Sequence, residues 1–170
     1  NNKKIPSEVQ GKSLLSFLEK EEHSNHTALF GYWGGGVNLT DGKYTFFNYP
    51  ENMSRSDPNQ YTLMPTHLRQ FFTLNELKTA KLSDPFPFTK GVPLLKIKND
   101  EAGPAIGNET GGKDDMKFED TNTALYNIEN DPGQLENLVN SSEKNKLMKE
   151  MKRKMIENDA PSEVLKRFGF

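Results

Sequence analysis

The stretch 26–50 constrains the fold more than any other part of the chain, because its alternation of apolar and polar residues can be solved for a register. Asp41-Gly42 at the tip of a two-residue hairpin suits the positive φ angles of a type I′ turn. Thr40 then faces Lys43, Leu39 faces Tyr44, Asn38 faces Thr45 and Val37 faces Phe46. The apolar pairs fall on one side of the hairpin and the polar pairs on the other, so one face is expected to be buried. The aromatic segment 28–33 precedes it as a third strand, joined through Gly34-Gly35-Gly36. A loop that cradles phosphate runs into a helix N-terminus. This one runs into a strand, so the glycines predict a bend, a bulge or a close backbone approach.

The rest of the chain adds shorter elements. Leu14, Leu15 and Leu18 have helix-like spacing, and 19–25 is a charged loop. After the Asn, Ser, Asp and Pro-rich run to Gln60, a short strand over 61–64 is closed by Pro65. Thr73-Leu74-Asn75-Glu76 has capping-box spacing and predicts a short helix to Ala80. Pro85, Pro87 and Pro93 remove backbone donors, so 84–93 is expected to be neither helix nor central strand, and 94–98 resumes as a strand. Polar, glycine-containing 99–120 is expected to be a mobile insertion. A strand over 124–128 follows, then a turn that starts at Asp131-Pro132 and carries Leu135 and Leu138. Ser141 or Ser142 is placed to cap a long C-terminal helix over 142–158, with Leu147, Met151 and Met155 as its apolar stripe and Lys144, Lys149, Lys152 and Arg153 on its solvated face. Segregated strands and a one-faced helix predict an α+β fold, a mainly antiparallel sheet packed on that helix.

Composition narrows the partners. Leu, Ile, Val and Phe supply a little over a fifth of the 170 residues, low for a self-contained domain, so part of the apolar face is expected to meet a partner. A net charge of −2, with Lys and Arg dispersed, argues against nucleic acid or an anionic membrane. No apolar run approaches the roughly 18 residues that span a bilayer. The absence of cysteine excludes thiolate metal sites and cysteine nucleophiles within the chain but leaves the compartment open, a cytoplasmic parent being slightly favoured over a secreted or periplasmic one. Asp114-Asp115 lacks the regular ligand spacing of a calcium loop.

Five stretches in order, 9–15, 30–44, 61–67, 124–134 and 160–163, carry a resemblance to the C-terminal part of bacterial sulfatases of the alkaline phosphatase-like superfamily. The resemblance implies that 1–25 is a bridge from an N-terminal catalytic domain and that 26–170 is a C-terminal subdomain. It further implies that the nucleophile, a formylglycine, and a divalent cation, calcium by analogy, belong to that other domain. Neither a Cys/Ser-x-Pro-x-Arg motif nor a carboxylate cluster occurs here, so no residue of this chain is expected to be catalytic or to bind metal, and the chain alone is expected to be inactive.

What the chain could add is the substrate-side wall of the pocket. The candidates are Thr66 and His67, which follow a proline-fixed corner, and Thr89 and Lys90 in the Phe-Pro-Phe loop, all on connecting segments of the kind that carry sites. The expected ligand is a sulfate-ester small molecule or glycan. Two alternatives stay open at this point: the same subdomain of a phosphoesterase or phosphonate hydrolase, and a noncatalytic module that binds carbohydrate or protein through Tyr32, Trp33, Tyr44 or Tyr49.

Overall fold

A computed structural model describes residues 27–31, 35–50, 59–64, 66–67, 71–98 and 122–170, together with Pro6, Val9, Leu15 and Leu18. The expected bridge (apart from those four residues), the Tyr32-Trp33 pair and the insertion 99–120 lie outside the described residues. In chain order the strands are β1 (Ala28–Gly31), β2 (Val37–Thr40), β3 (Tyr44–Asn48), β4 (Asn59–Thr62), β5 (Lys81–Leu82), β6 (Leu95–Lys98) and β7 (Ala124–Asn127). Among the described residues the helices with assigned bounds are α1 (Leu74–Thr79), α2 (Glu143–Glu157) and α3 (Ser162–Arg167), with a 3-10 turn at Pro87–Thr89, and Leu15 and Leu18 are also helical. The architecture is α+β, with antiparallel pairing throughout two sheets ordered β1-β2-β3-β7 and β4-β6-β5.

In the first sheet the register sets Leu29, Leu39, Phe46 and Leu125 in one row across all four strands. That row packs on Leu147, Met151 and Met155 of α2 and on Phe168 beyond α3, all buried. The apolar stripe predicted for the helix is the stripe that is buried, because positions four apart share one helical face. Asn48 joins the same layer and donates its amide to the Met151 sulfur at 3.5 Å. On the opposite face Phe47 meets Phe30 and Tyr126 edge to face, with ring centroids 6.0 and 6.2 Å apart.

The predicted hairpin register is corrected by two residues. Leu39 faces Phe46 rather than Tyr44, Asn38 faces Phe47, Val37 faces Asn48 and Thr40 faces Thr45. The tip has slid by one residue, to Gly42-Lys43. Asp41 takes no positive φ; its carboxylate accepts the N–H groups of Lys43 and Tyr44 at 3.0 and 2.7 Å, and its own N–H donates to Tyr44 O. Gly42, at φ +88, occupies the first central position, the pattern of a type II′ turn. A two-residue slip preserves side-chain parity, so Leu39 and Tyr44 still share a face. Of the glycines 34–36, Gly36 behaves as a close approach: a Cβ there would lie 2.9 Å from Asn48 O, and one on Gly31 in the neighbouring strand would lie 2.5 Å from Gly36 O.

The free edge of β7 is covered. Leu125 donates to Asn137 Oδ1 and accepts from Leu138 N–H, so an irregular segment closes the ladder. The turn expected at Asp131-Pro132 forms, closed by Gln134 N–H on Asp131 O at 3.0 Å, but it does not become helical; the Asp131 carboxylate accepts Glu136 N–H at 2.9 Å, Leu135 is exposed and Leu138 packs against the core. Neither serine caps α2 through its side chain, and Ser142 itself has helical angles. The helix has 15 residues, and the chain ends on a separate short helix. Gly169 at φ +76 lets the N–H of Phe170 reach Leu165 O and its own N–H reach Lys166 O, a Schellman closure that turns Phe170 onto the core.

In the second sheet, alternation puts Gln60, Ile97, Leu95 and Leu82 on one face and Asn59, Tyr61, Lys96 and Lys98 on the other. The first face meets α1 through Glu76 and the second meets α3 through Glu163. The strand signals at 61–64 and 94–98 are realised at Asn59–Thr62 and Leu95–Lys98 as partners. The proline loop holds a 3-10 turn where neither helix nor central strand is predicted. Pro87 opens it, a position that requires no N–H from the ring nitrogen.

Candidate functional site

Two buried or half-buried carboxylates organise the polar side chains around β4. Glu76, third residue of α1, completes the predicted capping box: its N–H donates to Thr73 Oγ1 at 3.1 Å and its carboxylate accepts Thr73 N–H at 2.8 Å. The side chain is only 2% exposed and accepts two further donors. Gln60 Nε2 reaches Oε1 at 3.1 Å, and His67 Nε2 lies 3.0 and 3.2 Å from the two oxygens. His67 also rests on the Phe72 ring, with centroids 4.4 Å apart, while a bridge between Thr66 and Phe71 shapes the backbone beside it.

On the other face of β4, one oxygen of Glu163 collects three donors. These are the Tyr61 hydroxyl, Lys96 Nζ at 2.5 Å and Asn59 Nδ2 at 3.2 Å. Partial burial works against ionisation of this carboxyl, but the hydrogen bonds from Lys96 and Tyr61 outweigh it and hold its pKa at about 2. Burial and the Glu163 bond both push the Tyr61 phenol up. For Lys96, burial alone would lower the pKa, yet the bond to Glu163 prevails and raises it. The Lys96 ammonium also lies 5.2 Å from the Tyr61 ring centroid, and Phe86 packs on that ring edge to face.

Thr66 and His67 stand on the α1 side with Glu76. Thr89 and Lys90 follow Phe86, whose ring contacts Tyr61 on the α3 side. The Thr89 hydroxyl donates to Phe86 O at 2.8 Å, so it serves the turn. Lys90 is exposed and adopts left-handed angles, φ 53 and ψ 42, ahead of Gly91 at φ +83. A lysine in that region carries a backbone cost that a glycine would avoid, and such outliers concentrate where a side chain has to be presented. Phe88 stacks on Phe86 at 5.4 Å and is itself exposed.

Sequence reading missed Tyr61, Lys96 and Glu163 as a group and treated Glu76 only as a cap. The cap has a local signature, whereas Glu163 lies 102 residues from Tyr61 and has none. Of the aromatic residues considered for an interaction surface, Tyr44 packs against the core, and Tyr49 is half-buried with its N–H on Thr123 Oγ1. Among the described residues no group of three or more His, Asp or Glu side chains is placed to hold a metal, and no helix is long and apolar enough to cross a membrane. No family model, curated protein or solved structure matches the chain.

Proposed function

We propose that the chain is the C-terminal subdomain of a metal-dependent sulfatase of the alkaline phosphatase-like superfamily, inactive alone, which completes the fold and the substrate-side wall of the active site. The nucleophile and the cation would come from an N-terminal domain of the same protein. The observation that carries the reading is the ordered set of five resembling stretches, because four of them meet in space. The stretch 30–44 pairs with 124–134 through Tyr44 and Asn127, and 61–67 meets 160–163 through Tyr61 and Glu163. Segments far apart in sequence that touch one another are what a shared fold would retain.

His67 and Lys90 are the residues assigned to the wall. His67 is held by a carboxylate behind it, and Lys90 is an exposed residue with left-handed backbone angles. An ammonium there would stabilise charge on a sulfate ester. The test has two parts. The purified 170-residue chain should release no sulfate from an aryl sulfate with or without calcium; metal-dependent turnover by it would overturn the reading. The longer gene product should hydrolyse a sulfate ester, and Lys90→Gly there should lose turnover while melting no lower than the parent. Hydrolysis of a phosphate ester and not a sulfate ester would move the assignment to a phosphoesterase.

A further inference from the structure

Glu76 is the one buried charged residue among the described residues, and a capping box does not require that depth. Two groups donate to its carboxylate, Thr73 N–H and Gln60 Nε2, and His67 Nε2 lies 3.0 Å from the same oxygen as Gln60. The carboxylate therefore offers only lone pairs, and the His67 nitrogen facing it carries the hydrogen. The other ring nitrogen, Nδ1, has no hydrogen-bond partner among the described residues, and the side chain keeps 21% exposure. Phe72 packs on the ring and Glu76 holds one edge, so the orientation of the ring is fixed.

We propose that Glu76 is a positioning residue that locks His67 in the Nε2–H tautomer and presents Nδ1 as a hydrogen-bond acceptor for the hydroxyl groups of a sugar-like ligand. A bare lone pair repels the anionic oxygens of sulfate and attracts an O–H. His67 therefore recognises the uncharged, hydroxyl-bearing part of the ester, and the sulfate falls to cationic groups elsewhere. The ligand class rests on the sulfatase reading; the tautomer does not.

The tautomer is tested on the chain itself by long-range proton–nitrogen correlation spectra of the His67 ring above neutral pH. The expected result is one tautomer with hydrogen on Nε2. Glu76→Leu, which leaves no acceptor at that position, should release the hydrogen to partition between the two ring nitrogens while the backbone amide spectrum stays folded. A hydrogen on Nδ1 in the unaltered chain, or a tautomer indifferent to Glu76→Leu, overturns the dyad.

The ligand class is tested in the longer enzyme. There His67→Ala should raise KM for glucose 6-sulfate about tenfold, the worth of one hydrogen bond. It should leave KM unchanged for 4-nitrophenyl sulfate, which has no hydroxyl. Equal effects on the two esters overturn the ligand class. Failure of the unaltered enzyme to turn over either ester overturns the sulfatase reading instead, and the spectra still decide the dyad.

Discussion

The two sheets are stabilised by different physics. The first is a layered apolar assembly in which a row of four side chains across the strands meets three from α2. The second has a smaller set of buried apolar residues, Phe72, Leu94 and Ile97, and each of its faces is fastened to a helix through a carboxylate. Apolar packing is non-directional and tolerates pH, whereas a carboxylate with several donors is directional and fails when it is protonated or removed. The wall residues of the proposed site stand around the second sheet, where position is set by hydrogen bonds. Around it Leu63, Phe71, Leu74, Leu82 and Phe88 are exposed.

The largest expected effect probes the first sheet. Phe46→Ala removes a fully buried ring from the centre of the row and should cost about 3–5 kcal/mol, read as a lower urea midpoint with loss of amide protection in both sheets. A loss confined to the first sheet would mean that the sheets unfold separately. Glu76→Ala comes next. It removes the acceptor shared by Gln60 Nε2, His67 Nε2 and the Thr73 N–H, so roughly 2–3 kcal/mol should be lost, with hydrogen exchange rising first in β4 and β6. Equal acceleration in β2 and β3 would erase the distinction drawn between the two halves.

Glu163→Gln should be milder and dependent on pH. The folded-state pKa of about 2 lies below the roughly 4.3 of an unfolded glutamate, so the stabilisation is complete above the unfolded value and fades as pH falls from about 5 toward 2. The side chain is about a third exposed, so solvent screening reduces the contribution to about 1 kcal/mol. The variant should melt lower at pH 7 and converge with the parent near pH 2; a constant gap across that range would assign the effect to shape. Arg153→Ala should have the smallest effect. Its pairs with Glu150 and Glu157 lie on the solvated face of α2, and the urea midpoint should not move measurably.

What could be seen in the sequence follows the range of each signal. The capping box at Thr73 and Glu76 and the stripe of Leu147, Met151 and Met155 depend on neighbours within one or two turns, and both form as predicted. In the hairpin, the face that joins the apolar core was legible because it depends on parity, but Asn38 and Thr45 on the predicted polar face are buried as well. The exact pairing was not legible, because Asp41 could satisfy Tyr44 N–H with its side chain and so pass the tip to Gly42-Lys43. The second sheet joins β4 to β6 across more than thirty residues and carries no turn signal that specifies the pairing. His67 and Lys90 were legible as residues on fixed corners. The placement of His67 depends on Glu76, and that of the loop before Lys90 on the contact of Phe86 with Tyr61, which no local pattern signals.

The Glu163 bond also has a consequence in time. Its oxygen gathers Asn59, Tyr61 and Lys96 from 104, 102 and 67 positions away, the most costly loops to close in this polar network. Local hairpins and the capped α1 can form before such a contact is worth making, so α3 should dock on the second sheet after the folding barrier has been crossed. Glu163→Gln would then leave the refolding rate nearly unchanged and place its whole effect on the rate of unfolding, as separable chevron arms in stopped-flow would show. The carboxylate acts as a late latch, governing how long the second sheet stays docked rather than how quickly it is found.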